Sequence, residues 1–316
     1  MENLIEILSD KMNDTELYKA IETLNKEKDE MRENLRLGST VQNFVNLLKK
    51  KNFRKIVERF REKLVLKSAN KTERRRDCLN EIVFTSSHNS ENAKIAVYTC
   101  VVGKYDLVKP PLLTFENVDY FLFTDDPNTY SNLSFFQVKK ISDDILSKGK
   151  IMANRYVKFH PKEMLGDKYD YSIYIDGNVR IVSDVRPFVD CTFNKTGIAM
   201  HKHRSRDCVY DEAEFCVKLH RGNKRNIRTL LGLYKQEGFP TNFGMNEANL
   251  IVADLRNETS GILLDEWWRE FIRGMTMRDQ LAWPYVLWKK GFCLDDVGCL
   301  GENIYKNYKV EIIRHE

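Results

Sequence analysis

The sequence predicts an α/β fold: a mostly parallel sheet flanked by helices, preceded by a helical N-terminal extension. Three observations carry this. From Lys94 onward, β-branched apolar runs alternate with helix-patterned stretches, as in a parallel sheet built from β-α units. Several of those runs end in polar residues of ligand type, which a crevice at strand C-termini requires. Over residues 1–76 the chain is poor in Gly and Pro and keeps helical spacing.

The extension is expected over residues 1–76. Asn13 or Asp14 caps a first helix whose Leu17, Ile21, Leu24, Met31 and Leu35 lie near one face. Gly38-Ser39-Thr40 breaks it, and a second helix places Phe44, Leu48, Ile56, Phe60 and Leu64 opposite a basic face. Such a helix suits packing on the chain's own catalytic domain, an oligomer contact or an anionic membrane surface. Residues 77–93 are polar and read as a linker to a catalytic domain over 94–316. There, "KIAVYTCVV", "VDYFLFTDD", "YDYSIYIDG" and "TGIAMHKH" read as four strands. Helical patterns include "DEAEFCVKLHRGNKRNIRTLLGLYKQEG" and "RDQLAWPYVLWKKG".

Composition excludes several classes. The net charge of +5 is local: residues 1–48 carry 6 Lys/Arg against 10 Asp/Glu, and residues 49–76 carry 13 against 3. The rest is nearly neutral, so no nucleic-acid-binding surface is expected. No apolar run is long enough to span a membrane, and the acidic N-terminus lacks a signal-peptide pattern. Seven cysteines without a C-x-x-C pair read as reduced residues of a cytoplasmic protein. No G-x-G-x-x-G, P-loop or G-x-S-x-G motif occurs.

The most informative stretch is "YSIYIDGNVRIV", residues 171–182. Asp176 and Asn178 end an apolar run and offer hard oxygen donors suited to Mg²⁺ or Mn²⁺. They share a side if the backbone stays extended. Gly177 permits close backbone approach to a ligand.

"YIDGN" resembles the D-x-D metal motif of GT-A glycosyltransferases, with Asn178 in place of the second acid. Seven stretches also resemble, in order, a glycosyltransferase-like family of plant cell-wall and bacterial polysaccharide proteins, formerly catalogued as a domain of unknown function. They are "VYTCVVGKYD", "YFLFTDD", "NRYVKFHP", "YIDGNVRI", "HKHRSRDCVYDEA", "GFPTNFGMNEANLIV" and "RDQLAWPYVLWKKG", spanning about residues 94–295.

The resemblance implies a GT-A-like domain that transfers a hexosyl unit from a nucleotide sugar, UDP-linked, to a polysaccharide or lipid-linked saccharide. Donor binding is expected from Thr99, Gly103, Tyr105, Asp125, Asp126, Arg155, Lys158, Asp176, Gly177 and Gln280. Turns or caps are the competing reading for Asp125 and Asp126. Arg155 and Lys158 are three apart on one helical face and suit diphosphate oxygens. His201 and His203 alternate, so one faces the crevice, and His201 is assigned to acceptor binding with Asn242, Asn246 and Glu247. Glu212 is expected to orient sugar hydroxyls or Arg204. Asp279, opening a helix, is the expected general base. His315 would join Asp176 and Asn178 on Mn²⁺ or Mg²⁺. Two other readings stay open: a metal-dependent nucleotide-sugar nucleotidyltransferase or hydrolase, and a non-catalytic subunit of a polysaccharide-synthesis complex.

Overall fold

The computed structural model describes residues 92–313. The helical extension over 1–76, nearly all of the linker and His315 lie outside those residues.

The domain is built on a seven-stranded sheet in the order β3-β2-β1-β4-β7-β6-β8. The strands are β1 (Ile95–Val101), β2 (Val118–Thr124), β3 (Gln137–Lys140), β4 (Tyr171–Ile175), β6 (Ile198–Lys202), β7 (Asn246–Asp254) and β8 (Gly298–Cys299). All pairings are parallel except those of β7, which runs antiparallel to both β4 and β6. A second, two-stranded sheet pairs β5 (Val179–Ile181) with β9 (Val310–Ile312). The helices are α1 (Asp143–Leu146), α2 (Lys150–Phe159), α3 (Pro161–Leu165), α4 (Val209–Lys218), α5 (Lys224–Gln236), α6 (Glu258–Gly274) and α7 (Trp283–Lys289).

Both faces of the main sheet are covered, so its strands read as apolar runs and not as alternations. All seven residues of β1 are buried. One face sends Ala96, Tyr98, Phe121, Phe123, Tyr174 and Ile251 against α2, α6 and α7, where Trp267 and Trp283 are buried. The other sends Val97, Leu122, Ile173 and Val252 against Phe188, Val189, Leu300 and Ile304. The long helices follow their apolar spacing. In α5, Ile227, Leu230, Leu231 and Tyr234 are buried, and the Asn223 side chain caps the start by accepting the Asn226 N–H.

The expected helical stretch over 211–238 is in fact α4 and α5, separated by a turn in which Gly222 takes φ +92°. "NEANLIVAD" had no strand expectation but forms β7. Asp279 and Gln280 sit in a three-residue 3-10 turn, and α7 begins four residues later at Trp283.

Strand order positions the site. From β1 the chain builds β2 and β3 to one side, then crosses back to place β4 on the other side. The C-terminal ends of β1 and β4 therefore flank a topological switch point, where open α/β sheets hold ligands. Antiparallel β7 brings its N-terminal residues to that same edge, with Ile175 opposite Leu250. Pairing between β6 and β7 jumps from Met200–Ile251 to His201–Glu247. Such an irregularity re-aims side chains at a strand end.

Candidate active site

Asp176 follows the last residue of β4. Its backbone N–H donates to the Asn249 carbonyl of β7 at 2.9 Å, and its own carbonyl accepts the Val179 N–H at 2.8 Å. Residues 176–179 are thus a turn and not extended backbone. The turn still carries Asp176 and Asn178 into one cavity of about 210 Å³. Tyr174 Oη donates to Asp176 Oδ1 at 2.9 Å, fixing the carboxylate and leaving Oδ2 for another partner. Gly177 is needed for a different close approach from the one expected. A Cβ there would stand 2.6 Å from Val101 Cγ2 and 2.8 Å from Asp106 Cβ, so β1 and its following loop occupy the space.

Eight expected residues line this cavity: Arg155, Lys158, Asp176, Asn178, Glu212, Glu247, Asp279 and Gln280. The distance between the helix face of α2 and the 279–280 turn is bridged by a charge cluster. Arg155 Nε lies 3.0 Å from Asp279 Oδ1, and Lys158 Nζ donates to Asp279 Oδ2 at 2.6 Å. Trp267 Nε1 donates to the Asp279 carbonyl at 2.8 Å and holds the turn in place. Burial alone would raise the Asp279 pKa, but Arg155 and Lys158 outweigh it and hold the carboxyl well below the usual carboxylate range. Burial pushes the Lys158 ammonium down, against the pull of Asp279 and Asp176. Asp279 is therefore ionised with both oxygens engaged. A weakly basic, doubly paired carboxylate is ill suited to remove a hydroxyl proton. This geometry makes Asp279 the group that positions Arg155 and Lys158.

Glu212, from α4, accepts Arg206 at 2.5 Å and the Cys216 thiol at 3.3 Å. Its cationic partner is Arg206 and not the expected Arg204, whose guanidinium lies 4.4 Å from the Tyr305 ring. Of the two histidines, His203 faces the cavity. Its Nδ1 accepts backbone N–H groups of Arg206 at 3.0 Å and Ser205 at 3.3 Å. His201 instead is fully buried beside Asn307 Nδ2, 2.8 Å from its Nε2. Burial lowers its pKa to about 3, so it is a neutral core residue. Of the alternating pair, it is His203 and not the expected His201 that lines the cavity.

The remaining expected residues lie outside the cavity lining. Asp125 accepts the Gly103 N–H with both oxygens, at 3.0 and 3.1 Å, tying the loop after β1 to the end of β2. Asp126 caps a 3-10 turn through the Asn128 N–H and the Thr129 hydroxyl. Thr99 is buried inside β1, whereas Tyr105 is 75% exposed. Asn246 accepts Trp283 Nε1 at 3.0 Å as a buried structural residue, and Asn242 occupies an exposed turn with φ +55°.

Sequence reasoning preferred His201 to His203 and left out Arg206, Arg221, Arg278 and Tyr305 as lining residues. Only Arg278 carried a local signal, standing directly before Asp279-Gln280. With Arg155, Lys158 and Arg204, the lining holds six Lys/Arg side chains against four Asp/Glu. A narrow polar cavity with that surplus concentrates an anion. For a divalent ion, Asp176 and Asn178 offer one carboxylate and one amide oxygen. No group of three or more His, Cys, Asp or Glu among the described residues is arranged to hold a metal. This donor set fits Mg²⁺ or Mn²⁺ completed by water and phosphate oxygens, not a closed protein cage.

Residues 69–295 match the family model described as TOD1/MUCI70, glycosyltransferase-like domain. No curated protein matches the chain. Solved structures with similarity include mouse xyloside xylosyltransferase 1, at 8% identity and TM-score 0.39, over 65% of this chain and 83% of that one. The galactosyltransferase LgtC matches at 12% identity and TM-score 0.38, over 63% and 72%. The bifunctional glycosyltransferase WbbM matches at 13% and 0.38, over 68% and 40%.

Proposed function

This chain belongs to the TOD1/MUCI70 glycosyltransferase-like family, and from that premise we propose that it transfers a hexosyl unit from a UDP-linked sugar to a saccharide or lipid-linked acceptor in surface polysaccharide synthesis. The observation that carries the reading is the composition of the cavity beyond the end of β4. An oriented carboxylate and an amide stand beside a surplus of guanidinium and ammonium groups. A nucleoside diphosphate needs both.

In this reading Asp176 and Asn178 would hold Mn²⁺ or Mg²⁺, which when bound would supply charge neutralisation for a leaving diphosphate. Arg155, kept in place by Asp279, presents a guanidinium toward the same oxygens. One carboxylate shared by two cations leaves that cluster with net positive charge. Arg278 adds a further guanidinium beside it. Gln280 Nε2 is oriented by the Asn246 carbonyl at 2.8 Å and contributes a fixed donor to the cavity. Among the described residues no helix is long and apolar enough to cross a membrane.

A thermal-shift screen of nucleotide sugars, with and without Mn²⁺, tests the proposal. A donor at about 100 times its Kd stabilises by about 2.7 kcal/mol, or about 5 to 10 °C in a domain of this size. A metal-dependent shift with one family of nucleotide sugars supports the reading. No shift with any of them, metal present, overturns it.

A further inference from the structure

The cavity contains four carboxylates, and three are committed. Asp279 is clamped by Arg155 and Lys158, Glu212 is paired with Arg206, and Asp176 is fixed by Tyr174 beside Asn178. Glu247 differs. Among the described residues no Lys or Arg side-chain nitrogen stands within ion-pair distance of it. Its neighbours are Gln280 Nε2, 3.5 Å from Oε2, and His203 Nε2, 4.0 Å from Oε1. His203 accepts two backbone N–H groups at Nδ1, so its proton sits on Nε2, the nitrogen turned toward Glu247 and, at 3.7 Å, Glu212. The irregular β6–β7 pairing is what delivers Glu247 to the cavity.

We propose that Glu247 is the base that takes the proton from the attacking hydroxyl, with His203 positioning its carboxylate; this rests on the glycosyl-transfer reading above. In the step, the acceptor O–H proton passes to a Glu247 oxygen. The acceptor oxygen's electron pair forms the bond to the anomeric carbon. The bond from that carbon to the diphosphate oxygen breaks, and its pair leaves on the diphosphate.

The electrostatics agree with the geometry. Burial raises the Glu247 pKa above its ordinary value, opposed by the Arg204 charge and backbone N–H, by Gln280 and by Arg206. Tyr305 faces it from the C-terminal segment, and its own pKa is raised, chiefly by burial. A carboxylate held toward protonation is a stronger base than Asp279 and is closer to the range where base catalysis works.

The test uses the full chain, a panel of UDP-hexoses with Mn²⁺, and release of UDP to water or simple saccharides. Glu247→Gln should lower kcat by about 10² to 10⁴-fold with KM changed less than about threefold. It should also remove the acid limb of the pH–rate profile. Glu247→Asp should keep that limb with intermediate kcat. Because ionised Glu247 is disfavoured in the folded state above its ordinary pKa, the neutral amide should leave Tm at pH 7 unchanged or higher, a gap that closes toward pH 4. A Glu247→Gln protein with near-normal kcat, or one that keeps the acid limb, overturns the proposal while leaving glycosyl transfer standing. A wild-type chain that releases no UDP from any donor overturns the transfer reading and this proposal together.

Discussion

Replacing Asp279 by Asn leaves the shape of the 279–280 turn but removes the charge between Arg155 and Lys158. Lys158 has a side chain only 1% exposed and Arg155 one 19% exposed, so neither cation can turn to bulk water without moving α2. Removing one partner of a buried pair costs about 3 to 5 kcal/mol. Burial already pushes Lys158 toward its neutral form, so proton loss from Lys158 limits the cost to the lower part of that range. At about 2 to 4 °C per kcal/mol for a domain of this size, a cost of about 3 to 4 kcal/mol should lower Tm at pH 7 by about 6 to 16 °C. The folded-state pKa of Asp279 is depressed. Its contribution is therefore complete above the ordinary carboxylate pKa and is lost only as pH falls through the depressed value. Urea denaturation of both proteins from pH 7 to pH 3 should show a gap that is flat above about pH 5 and begins to narrow below about pH 4. Adding Lys158→Met should restore much of the loss, since the stranded buried ammonium is gone. An Asn variant within about 1 kcal/mol of wild type, or losses that simply add in the double variant, would refute the clamp.

Further outcomes follow from single contacts. Asp176→Ala should abolish Mn²⁺-dependent UDP binding by calorimetry while costing only about 1 kcal/mol of stability, the loss of the Tyr174 hydrogen bond. Gly177→Ala forces a Cβ to within 2.6 Å of Val101 Cγ2 and should destabilise by about 1 to 3 kcal/mol in urea. His201 is neutral when folded, with its pKa lowered to about 3 by burial, while the unfolded chain takes up a proton near pH 6.5. Stability should therefore fall as pH drops below about 6.5, by up to about 1.4 kcal/mol per pH unit from this residue. A His201→Gln protein with the same acid slope would show that another group is responsible.

Strands buried on both faces were the legible part. β1, β2 and β4 are dense β-branched and aromatic runs, β6 is a shorter apolar one at Ile198, Ala199 and Met200, and each formed within a residue or two of its expected place. β7 was not legible because Asn246, Glu247 and Asn249 interrupt its apolar pattern at the end that enters the crevice. The site follows the same division. Arg155 and Lys158 share a face by helical spacing, but their common partner Asp279 is 121 positions from Lys158, a separation no local pattern reports. Alternation placed one of His201 and His203 in the cavity. Choosing between them needed the β6–β7 register, which only tertiary pairing sets. The Asp125 and Asp126 carboxylates took the competing reading, satisfying nearby N–H and hydroxyl groups as Asp commonly does in caps and turns.

Product analysis tests most directly whether the cavity at the ends of β4, β6 and β7 moves a sugar to a hydroxyl. The full chain would be incubated with Mn²⁺, UDP-hexoses and a panel of saccharide and lipid-linked acceptors, and the products weighed by mass spectrometry. The account predicts UDP together with an acceptor heavier by one hexosyl unit, both absent with Asp176→Ala. Sugar 1-phosphate with UMP, or intact donor throughout, would contradict it.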